Sequence, residues 1–456
     1  MALQEQNIQQ GEVAYKSKEE AQSHLEESLK KLTKVGGFSF LENTIDGLQN
    51  VNPERKARKN IFMTDPEKKK ERNELKKRLE IWLDLLNNSN SASEIAEKSL
   101  EKVEAGTKVL NKNIGKALET FKDMEQAYRS MALFYKNTES DKIKNITIMN
   151  ASLDQVTDLD NTRFIDYVAE ELKQNFDRLD LRQNYSLLVI PGYMGSNKVI
   201  EKWAKIAHEN KTMLITDFAN LEAPDDVIDL FEDANLTGGD VYRSNVIMAC
   251  NWLVGRGKVA QAEEEEDLFI PPSSALAGKM YYTMLSQVTA GKKHGGMNEV
   301  DAVRFDLKKS EISQLEKLGL VPMVNEYGKV MAFSAKTLFN GDNLGLQTYS
   351  VVRVFDHITK VLFDFLNRRA FENWTSKTES DLRSQVVKFL DGIQGPDRLI
   401  EKFKIQRLEQ DPNQKDRVYL DIHITPYFPA KSFVVKLDGR KGDDENAVWN
   451  SEYKQS

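Results

Sequence analysis

The sequence LQTYSVVRVFDHITKVLFDFLNRR, residues 346–369, decides the fold of the carboxyl-terminal part of this chain. Its apolar residues recur three or four positions apart, which places them on one face of an amphipathic helix. They are Val351, Val354, Phe355, Ile358, Leu362 and Phe365. The spacing therefore predicts a helix over 348–369 with one side turned towards a core.

The sequence VYLDIHITPYFPAKSFVVKL, residues 418–437, predicts two strands beside that helix. In its first half, apolar residues alternate with polar or aromatic ones, as a half-buried strand requires. The apolar set is Val418, Leu420, Ile422 and Ile424, and the other set is Tyr419, Asp421, His423 and Thr425. Pro426 and Pro429 mark a turn before a second strand at 433–437. The result is a compact α/β module that contains no catalytic cluster.

The composition excludes several classes of protein. At 456 residues the chain has room for roughly two to four structural units. Its 40% hydrophobic and 30% charged residues are typical of a soluble protein, and no apolar run approaches the ~20 residues of a membrane span. A net charge of -7 argues against nucleic-acid binding. Residues 1–31 lack the apolar segment of a signal peptide, so we expect a cytoplasmic protein with no membrane partner.

The single cysteine limits the chemistry further. Cys250 lies in the apolar run 246–253, so an internal disulfide and a thiolate metal cage are both excluded. A catalytic thiol stays open as an alternative, but the apolar setting favours a buried, inert sulfur.

The first third of the chain is predicted to be helical. A stripe of Ala21, Leu25, Leu29 and Leu32 beside many charged residues cannot bury itself and needs the rest of the fold or a partner. After a helix start at Thr64, Asp65 and Pro66, one helix carries Leu75, Leu79, Trp82, Leu83 and Leu86 on its apolar face. A polar turn at 87–91 separates it from a long helix over 93–135, which predicts a helical hairpin.

From residue 157 onwards, helices and strands alternate. Continuous apolar runs at 185–190, 213–216 and 246–253 predict strands that are covered on both faces, as in an α/β layer. Between and after them the spacing predicts helices at 164–172, 199–207, 225–231, 275–288 and 310–317. Residues 291–297 are flexible by composition, and a hairpin joins strands at 321–324 and 330–333.

Three motifs invite an enzymatic interpretation. The loop after the first apolar run, Gly192 to Ser196, resembles an oxyanion-hole loop of α/β-hydrolases, but the chain has no G-x-S-x-G nucleophile elbow. The run 255–258, GRGK, lacks the spacing and the hydroxyl of a phosphate-binding loop. The five histidines are scattered, so no metal set is indicated. We therefore predict no catalytic residue, cofactor or metal, with a cytoplasmic hydrolase-like enzyme using Gly192 to Ser196 as the alternative.

The sequence LEKLGLVPMVNEYGKVMAFSAKTL, residues 315–338, resembles a segment of contractile-tail sheath proteins. In that family an "L…GI.P" pattern is followed by a hairpin and a closing "..S/R.T.L". The next helix, with Gln347, Tyr349, Arg353, Arg369 and Phe371, is similar to the helix that follows there. From 164 to 437 the order and spacing resemble the large subunit of the type VI secretion contractile sheath, TssC/VipB-like in a divergent, Bacteroidetes-type form, related to phage tail sheath proteins.

The resemblance implies a mixed α/β (α+β) sheath fold with an amino-terminal helical region and a carboxyl-terminal α/β module. We expect a helical arm at 1–60 that packs on a partner, a helical hairpin at 61–150, an α/β middle domain at 151–345, a sheath domain at 346–438, and an extended strand or linker at 439–456. The function implied is structural: a heterodimer with a small sheath subunit (TssB), stacked with neighbouring protomers in six-fold rings that contract and propel an inner tube.

Further partners implied by the resemblance are the inner tube protein, a baseplate and an AAA+ ATPase that disassembles the sheath. In the family that ATPase grips an amino-terminal helix, which matches 16–32 here, with Leu25, Leu29 and Leu32 on its apolar side.

Two surfaces are candidate contacts. The tail carries Ala447, Val448, Trp449 and Tyr453 in a polar context, which favours addition of a strand to a neighbour's sheet or, alternatively, a frayed terminus. The helix at 379–391 carries Glu379, Asp381, Arg383 and Lys388, which either face the inner tube or lie in solvent.

Overall fold

The computed structural model describes residues 61–138, 143, 145–181, 184–431, 433–440 and 447–454. Contacts between residues divide the chain into two units. The first comprises residues 1–117 and 261–263, and the second comprises residues 118–260 and 264–456. The arm expected at 1–60, including the stripe Leu25, Leu29 and Leu32, lies outside the described residues.

The described part of the first unit is helical. A 3₁₀ turn, Pro66–Lys68, opens it, and the Asp65 carboxylate accepts a hydrogen bond from the Glu67 backbone N–H at 2.9 Å. Helix α1 (Lys69–Asn87) follows, and after the polar turn the chain enters α2 (Ala92–Asn137), which continues into the second unit. The two helices and the turn lie where the sequence predicts them. Lys102 of α2 pairs with Asp84 of α1 at 2.9 Å.

The second unit begins with alternating helices and strands. In chain order they are α3 (Leu153–Thr157), α4 (Arg163–Phe176), β1 (Leu187–Ile190), α5 (Asn197–Glu209), β2 (Met213–Asp217), α6 (Pro224–Ala234), β3 (Val246–Cys250), β4 (Leu253–Arg256), β5 (Leu268–Ile270), α7 (Ser273–Tyr282), α8 (Gly291–His294), α9 (Lys309–Lys317), β6 (Leu320–Glu326) and β7 (Lys329–Ala332). Short 3₁₀ turns lie at Val241–Asn245 and Ala260–Ala262.

A five-stranded sheet in the order β1-β2-β3-β6-β7 forms the centre of this unit. The first four strands are parallel, and β7 pairs antiparallel with β6 at one edge. Successive side chains enter opposite cores: Leu214, Val246 and Met248 pack on one face, and Ile215 and Ile247 pack on the other. This confirms the prediction of strands covered on both faces, because only such strands can be apolar throughout.

The carboxyl-terminal part consists of α10 (Tyr349–Arg368), α11 (Ser376–Ile393), β8 (Ile400–Gln410), β9 (Val418–Pro426), β10 (Val434–Arg440) and β11 (Ala447–Lys454). The sequence predicts α10, β9 and β10 correctly but misses β8, which is the antiparallel partner of β9. Charged residues occupy many positions of β8, so its alternation is weak. The strands β10 and β11 pair with each other in a separate two-stranded sheet.

Helix α10 contributes to two cores. Tyr349 and Val352 pack with the central sheet, whereas Val354 and Ile358 pack with α11 and the β8–β9 ladder. The helix has one strongly apolar side, as its spacing predicts. At its first residue, Tyr349 is completely buried, with 0% of the residue exposed.

Three elements differ from the sequence prediction. The run 246–253 is not one strand, because Asn251 has a φ of 65° and its side-chain amide donates to the carbonyls of Phe305 and Met323, both at 2.8 Å. The helix predicted at 275–288 ends at Tyr282, since the next residue, Thr283, is extended. Residues 291–294, expected to be flexible, form α8.

Candidate functional site

The Gly192 to Ser196 loop joins β1 to the start of α5. Gly192 and Gly195 have φ values of 98° and 73°, which glycine adopts without steric cost. The Gly192 N–H donates to Oδ2 of Asp217 at 2.9 Å. It is therefore already used within the fold and is not aimed at a position where an oxyanion would form.

Asp217 ends β2 and is completely buried. Its second oxygen, Oδ1, accepts from the backbone N–H of Ser273, the first residue of α7, at 2.7 Å. Burial raises the pKa of this carboxyl to about 7, against the opposing effect of the hydrogen bonds from Ser273 and Gly192. Asp217 thus connects β2 with the loop after β1 and with the amino terminus of α7, which is a structural role.

Other groups expected to be inert occupy structural positions as well. Cys250 is free and completely buried, and burial raises the pKa of its thiol. In the run 255–258, the Arg256 guanidinium pairs with Glu125 at 2.9 Å and with Glu264 at 2.7 Å, so it is not free for a phosphate. Within the part of the chain that the structure describes, no group of three or more His, Cys, Asp and Glu side chains could hold a metal ion.

The helices of the first unit expose most of their apolar side chains. In the stretch 61–117, Leu85 is the only buried apolar side chain, while Trp82 is 56% and Leu110 57% exposed. The exposed large apolar residues there are Ile61, Met63, Leu75, Leu79, Ile81, Trp82, Leu100, Val103, Val109, Leu110 and Ile114. The spacing of apolar residues in the sequence predicts which face of each helix is apolar. It does not predict whether another element covers that face, so the exposure of these side chains is a finding of the structure.

These side chains form continuous stripes. On α1, Leu75, Leu79 and Trp82 are four and three residues apart, and on α2, Val103, Leu110 and Ile114 are seven and four apart. Both spacings keep the residues on one face of a helix. We call them the α1 stripe and the α2 stripe. Exposed apolar surface that is contiguous in this way is typical of a protein–protein interface.

Helix α11 does not bring its four charged candidates to one face. Asp381 and Lys388, seven residues apart, share the exposed side opposite Leu382 and Val386, and Asp381 pairs with Arg369 at 2.8 Å. Glu379 and Arg383 lie nearer to the core and pair with each other at 3.7 Å.

The tail residues Ala447, Val448, Trp449 and Tyr453 belong to β11. The β10–β11 register pairs 447 with 440 and 449 with 439, so residue 448 is passed over where the register shifts. No third strand joins this sheet within the described residues. A hairpin of two strands is marginally stable by itself, and both of its outer edges carry backbone groups that can pair with another chain.

Three family models match the sequence and together cover nearly the whole chain. The TssC/VipB-like N-terminal region matches residues 25–114, the type VI secretion system TssC/VipB central domain matches residues 116–340, and the TssC/VipB-like C-terminal domain matches residues 348–455. No protein of curated function matches the sequence. No described helix is long and apolar enough to cross a membrane.

Several solved structures are similar to this chain. A chain of the anti-feeding prophage baseplate is 14% identical, with a TM-score of 0.47 and coverage of 66% of this chain and 84% of that one. A chain of the contracted helical sheath of the same particle is 15% identical, with a TM-score of 0.47 and coverage of 70% and 82%. A sheath tail protein from Desulfitobacterium hafniense is 13% identical, with a TM-score of 0.40 and coverage of 64% and 59%.

The buried Asp217 leads to a prediction about pH. Its pKa is about 7 in the folded chain against 3.8 as the ordinary value, so its contribution is complete below pH 3.8 and is lost as the pH rises through 7. We expect the free energy of unfolding of the wild type to fall by about 4 kcal/mol relative to Asp217→Asn between pH 4 and pH 8, since one pKa unit corresponds to about 1.4 kcal/mol. Urea denaturation followed by circular dichroism measures this difference.

Asp229→Asn, at an exposed position of α6, is the matched control and should parallel the wild type at every pH. Parallel profiles for the wild type and Asp217→Asn would show that Asp217 does not change its protonation in this range.

Proposed function

The chain belongs to the TssC/VipB family of the type VI secretion system, a family of contractile sheath subunits, and we propose that it is the large subunit of such a sheath. In this proposal it forms a heterodimer with a small sheath subunit in the cytoplasm. Heterodimers stack with neighbouring protomers into six-fold rings on a baseplate and around an inner tube, and contraction propels the tube. The role is structural and not enzymatic.

The α1 and α2 stripes are the observation that carries the proposal. The stretch 61–117, whose only buried apolar side chain is Leu85, has no sufficient core of its own, because each fully buried Val or Leu contributes about 1.5–3 kcal/mol and an exposed one contributes little. Helices of a companion subunit that pack on the stripes would supply the missing burial. We therefore assign the contact with the small subunit to the stripes.

The β10–β11 hairpin supports a second contact. Its open edges suit strand addition by a neighbouring protomer, in which backbone hydrogen bonds contribute about 1 kcal/mol each. Such a link tolerates rotation of rings, since it depends on backbone groups and not on the fit of side chains. We propose that Ala447, Val448, Trp449 and Tyr453 belong to this inter-subunit strand.

Two further contacts belong to this proposal. We propose that the outward side of α11, with the exposed Asp381 and Lys388, faces the inner tube and that Glu379 and Arg383 lie on its flank. The stretch with Leu25, Leu29 and Leu32 lies outside the described residues, and we propose from family membership that it recruits an AAA+ ATPase.

The first prediction tests the α2 stripe. We expect Val103→Glu with Leu110→Glu to weaken binding of the co-expressed small subunit about a hundredfold, because ~3 kcal/mol of apolar burial is lost at the interface. Co-purification and analytical ultracentrifugation measure the complex.

The control is Ala105→Glu with Lys112→Gln, on the opposite side of α2, which changes the net charge by the same amount. Loss of the complex in both variants would point to damage of the helix, and retention of the complex in both would remove the stripe from the interface.

The second prediction tests the tail. Deletion of residues 443–456 removes β11, so we expect a heterodimer that folds normally but forms no tubes by negative-stain electron microscopy. Deletion of residues 455–456 alone, which leaves β11 complete, should leave the tubes intact. Normal tubes from the longer deletion would rule out a role of the tail in linking subunits.

The third prediction tests α11. Asp381→Lys with Lys388→Glu reverses the charges of the outward side without changing the net charge, and we expect assembly on the inner tube to fail while the heterodimer persists. Glu379→Arg with Arg383→Glu, which conserves the ion pair on the flank, is the control and should assemble. An unchanged yield of tube-templated sheath from the first variant would place α11 away from the tube.

A further inference from the structure

Residues 427–431 connect β9 to the segment before β10, and we call them the strap. Tyr427, the first residue of the strap, donates from its hydroxyl to the Gly395 carbonyl at 2.7 Å. Lys431, the last one, pairs with Glu316 of α9 at 2.6 Å. Residues 428–431 are exposed, and among the described residues no backbone hydrogen bond joins them to another segment. The polar attachments of the strap are therefore one side-chain contact at each end.

A groove of about 1190 Å³ runs along the strap. All five strap residues line it, together with residues of α9 and the segment 333–335 after β7. Open space on this scale means that the strap is not packed into a core. Its displacement would cost little apolar burial, so the contacts at its two ends decide whether it stays in place.

Glu316 makes the contact at Lys431 hard to break by itself. The Glu316 side chain is 7% exposed, whereas that of Lys431 is 55% exposed. Within the described part of the chain, Lys431 is the only ion-pair partner of this carboxylate. A buried carboxylate that loses its counter-charge is strongly destabilising. Lys431 can therefore leave readily only if another cation takes its place.

Lys336, between β7 and α10, is placed to be that cation. It is half-buried, and its Nζ donates to Oε1 of Gln347. Burial, followed by the positive charge of Lys431, lowers the pKa of Lys336, and the negative charge of Glu316 opposes this shift. Two lysines thus lie close to one carboxylate. Departure of Lys431 would remove the repulsion between them and leave Glu316 with a counter-charge.

We propose that Glu316, Lys336 and Lys431 form a latch that holds the strap and releases it by exchange of one lysine for the other. In the closed state Glu316 pairs with Lys431, and in the open state it pairs with Lys336. Release frees residues 428–431 and lengthens the connection between β9 and β10 by up to about 13 Å, at about 3.3 Å for each extended residue. The use of this reach rests on the proposed function, in which a neighbouring protomer pairs with the β10–β11 hairpin and pulls on it when rings rotate.

The first test measures the position of the strap before any assembly, so its outcome does not depend on whether tubes form. It uses the full-length chain, co-purified with its companion subunit if solubility requires it. Spin labels at Ser310→Cys, an exposed position of α9, and at Ala430→Cys give a distance by pulsed EPR, and the buried Cys250 stays unlabelled. We expect a narrow distribution in this background and a broader one with longer distances when Lys431→Met is added, because the strap then loses one of its two attachments.

Two variants control this measurement. Lys431→Arg keeps the charge and should retain the narrow distribution. Lys402→Met removes the same charge from an exposed position of β8 and should leave the distribution unchanged. The same narrow distribution in Lys431→Met would overturn the latch, and so would equal broadening in Lys402→Met.

The second test addresses the exchange of lysines through urea denaturation followed by circular dichroism. In Lys336→Met or Lys431→Met one lysine still pairs with Glu316, so we expect the unfolding equilibrium constant to rise by no more than about tenfold. In the double variant the carboxylate is left buried and unpaired. The constant should then rise at least about tenfold beyond the product of the two single effects.

Glu316→Gln added to the double variant removes the unpaired charge at similar volume and should recover most of this excess loss. Independent effects of Lys336→Met and Lys431→Met would overturn the exchange, because they would show that the two lysines do not substitute for each other at Glu316. Failure of Glu316→Gln to recover stability would overturn it as well.

Discussion

The burial of α10 is the constraint on which the second unit depends. Its first turns complete the core on one face of the central sheet, and its following turns pack against α11 and the β8–β9 ladder. One helix therefore carries apolar side chains for two cores, and its polar side chains line a cavity of about 560 Å³ that the start of β2 also lines. Since the same helix serves the sheet and the carboxyl-terminal module, neither can shift far without loss of packing in the other.

The first unit differs from the second in the exposure of its apolar side chains. Its described helices have a capped start, a polar turn and ion pairs, but most of their large apolar side chains are exposed. Secondary structure can persist in such an element only if tertiary contacts from another source support it, because helices derive most of their stability from packing. We propose that neighbouring sheath subunits supply those contacts, which would account for a chain that combines a complete core with an incomplete one.

Sequence reasoning succeeds here where one physical signal dominates. The period of α10, and the unbroken apolar runs of β2 and β3, correspond directly to burial. It fails where the decisive contact is distant: Asn251 breaks a strand through bonds to Phe305 and Met323, and β8 is a strand because β9 lies beside it. The sequence shows the charged series Arg353, Asp356, Lys360 and Asp364 on an apolar helix, but it does not show which of these charges the fold pairs.

Asp217 and Arg353 show that two buried ionisable groups can differ in how completely the fold supplies their hydrogen bonds. Both are ionisable, and both are buried beyond the reach of bulk water. Each oxygen of Asp217 accepts a backbone N–H, so the fold itself accounts for the residue, and no ligand is needed to explain it. Arg353 donates from Nη2 to the Met280 carbonyl at 3.1 Å, but its Nη1 has no hydrogen-bond partner among the described residues. Because a buried polar group costs free energy in proportion to what it leaves unpaired, Asp217 costs the fold less than its complete burial alone suggests, whereas Arg353 retains the cost of one unpaired donor.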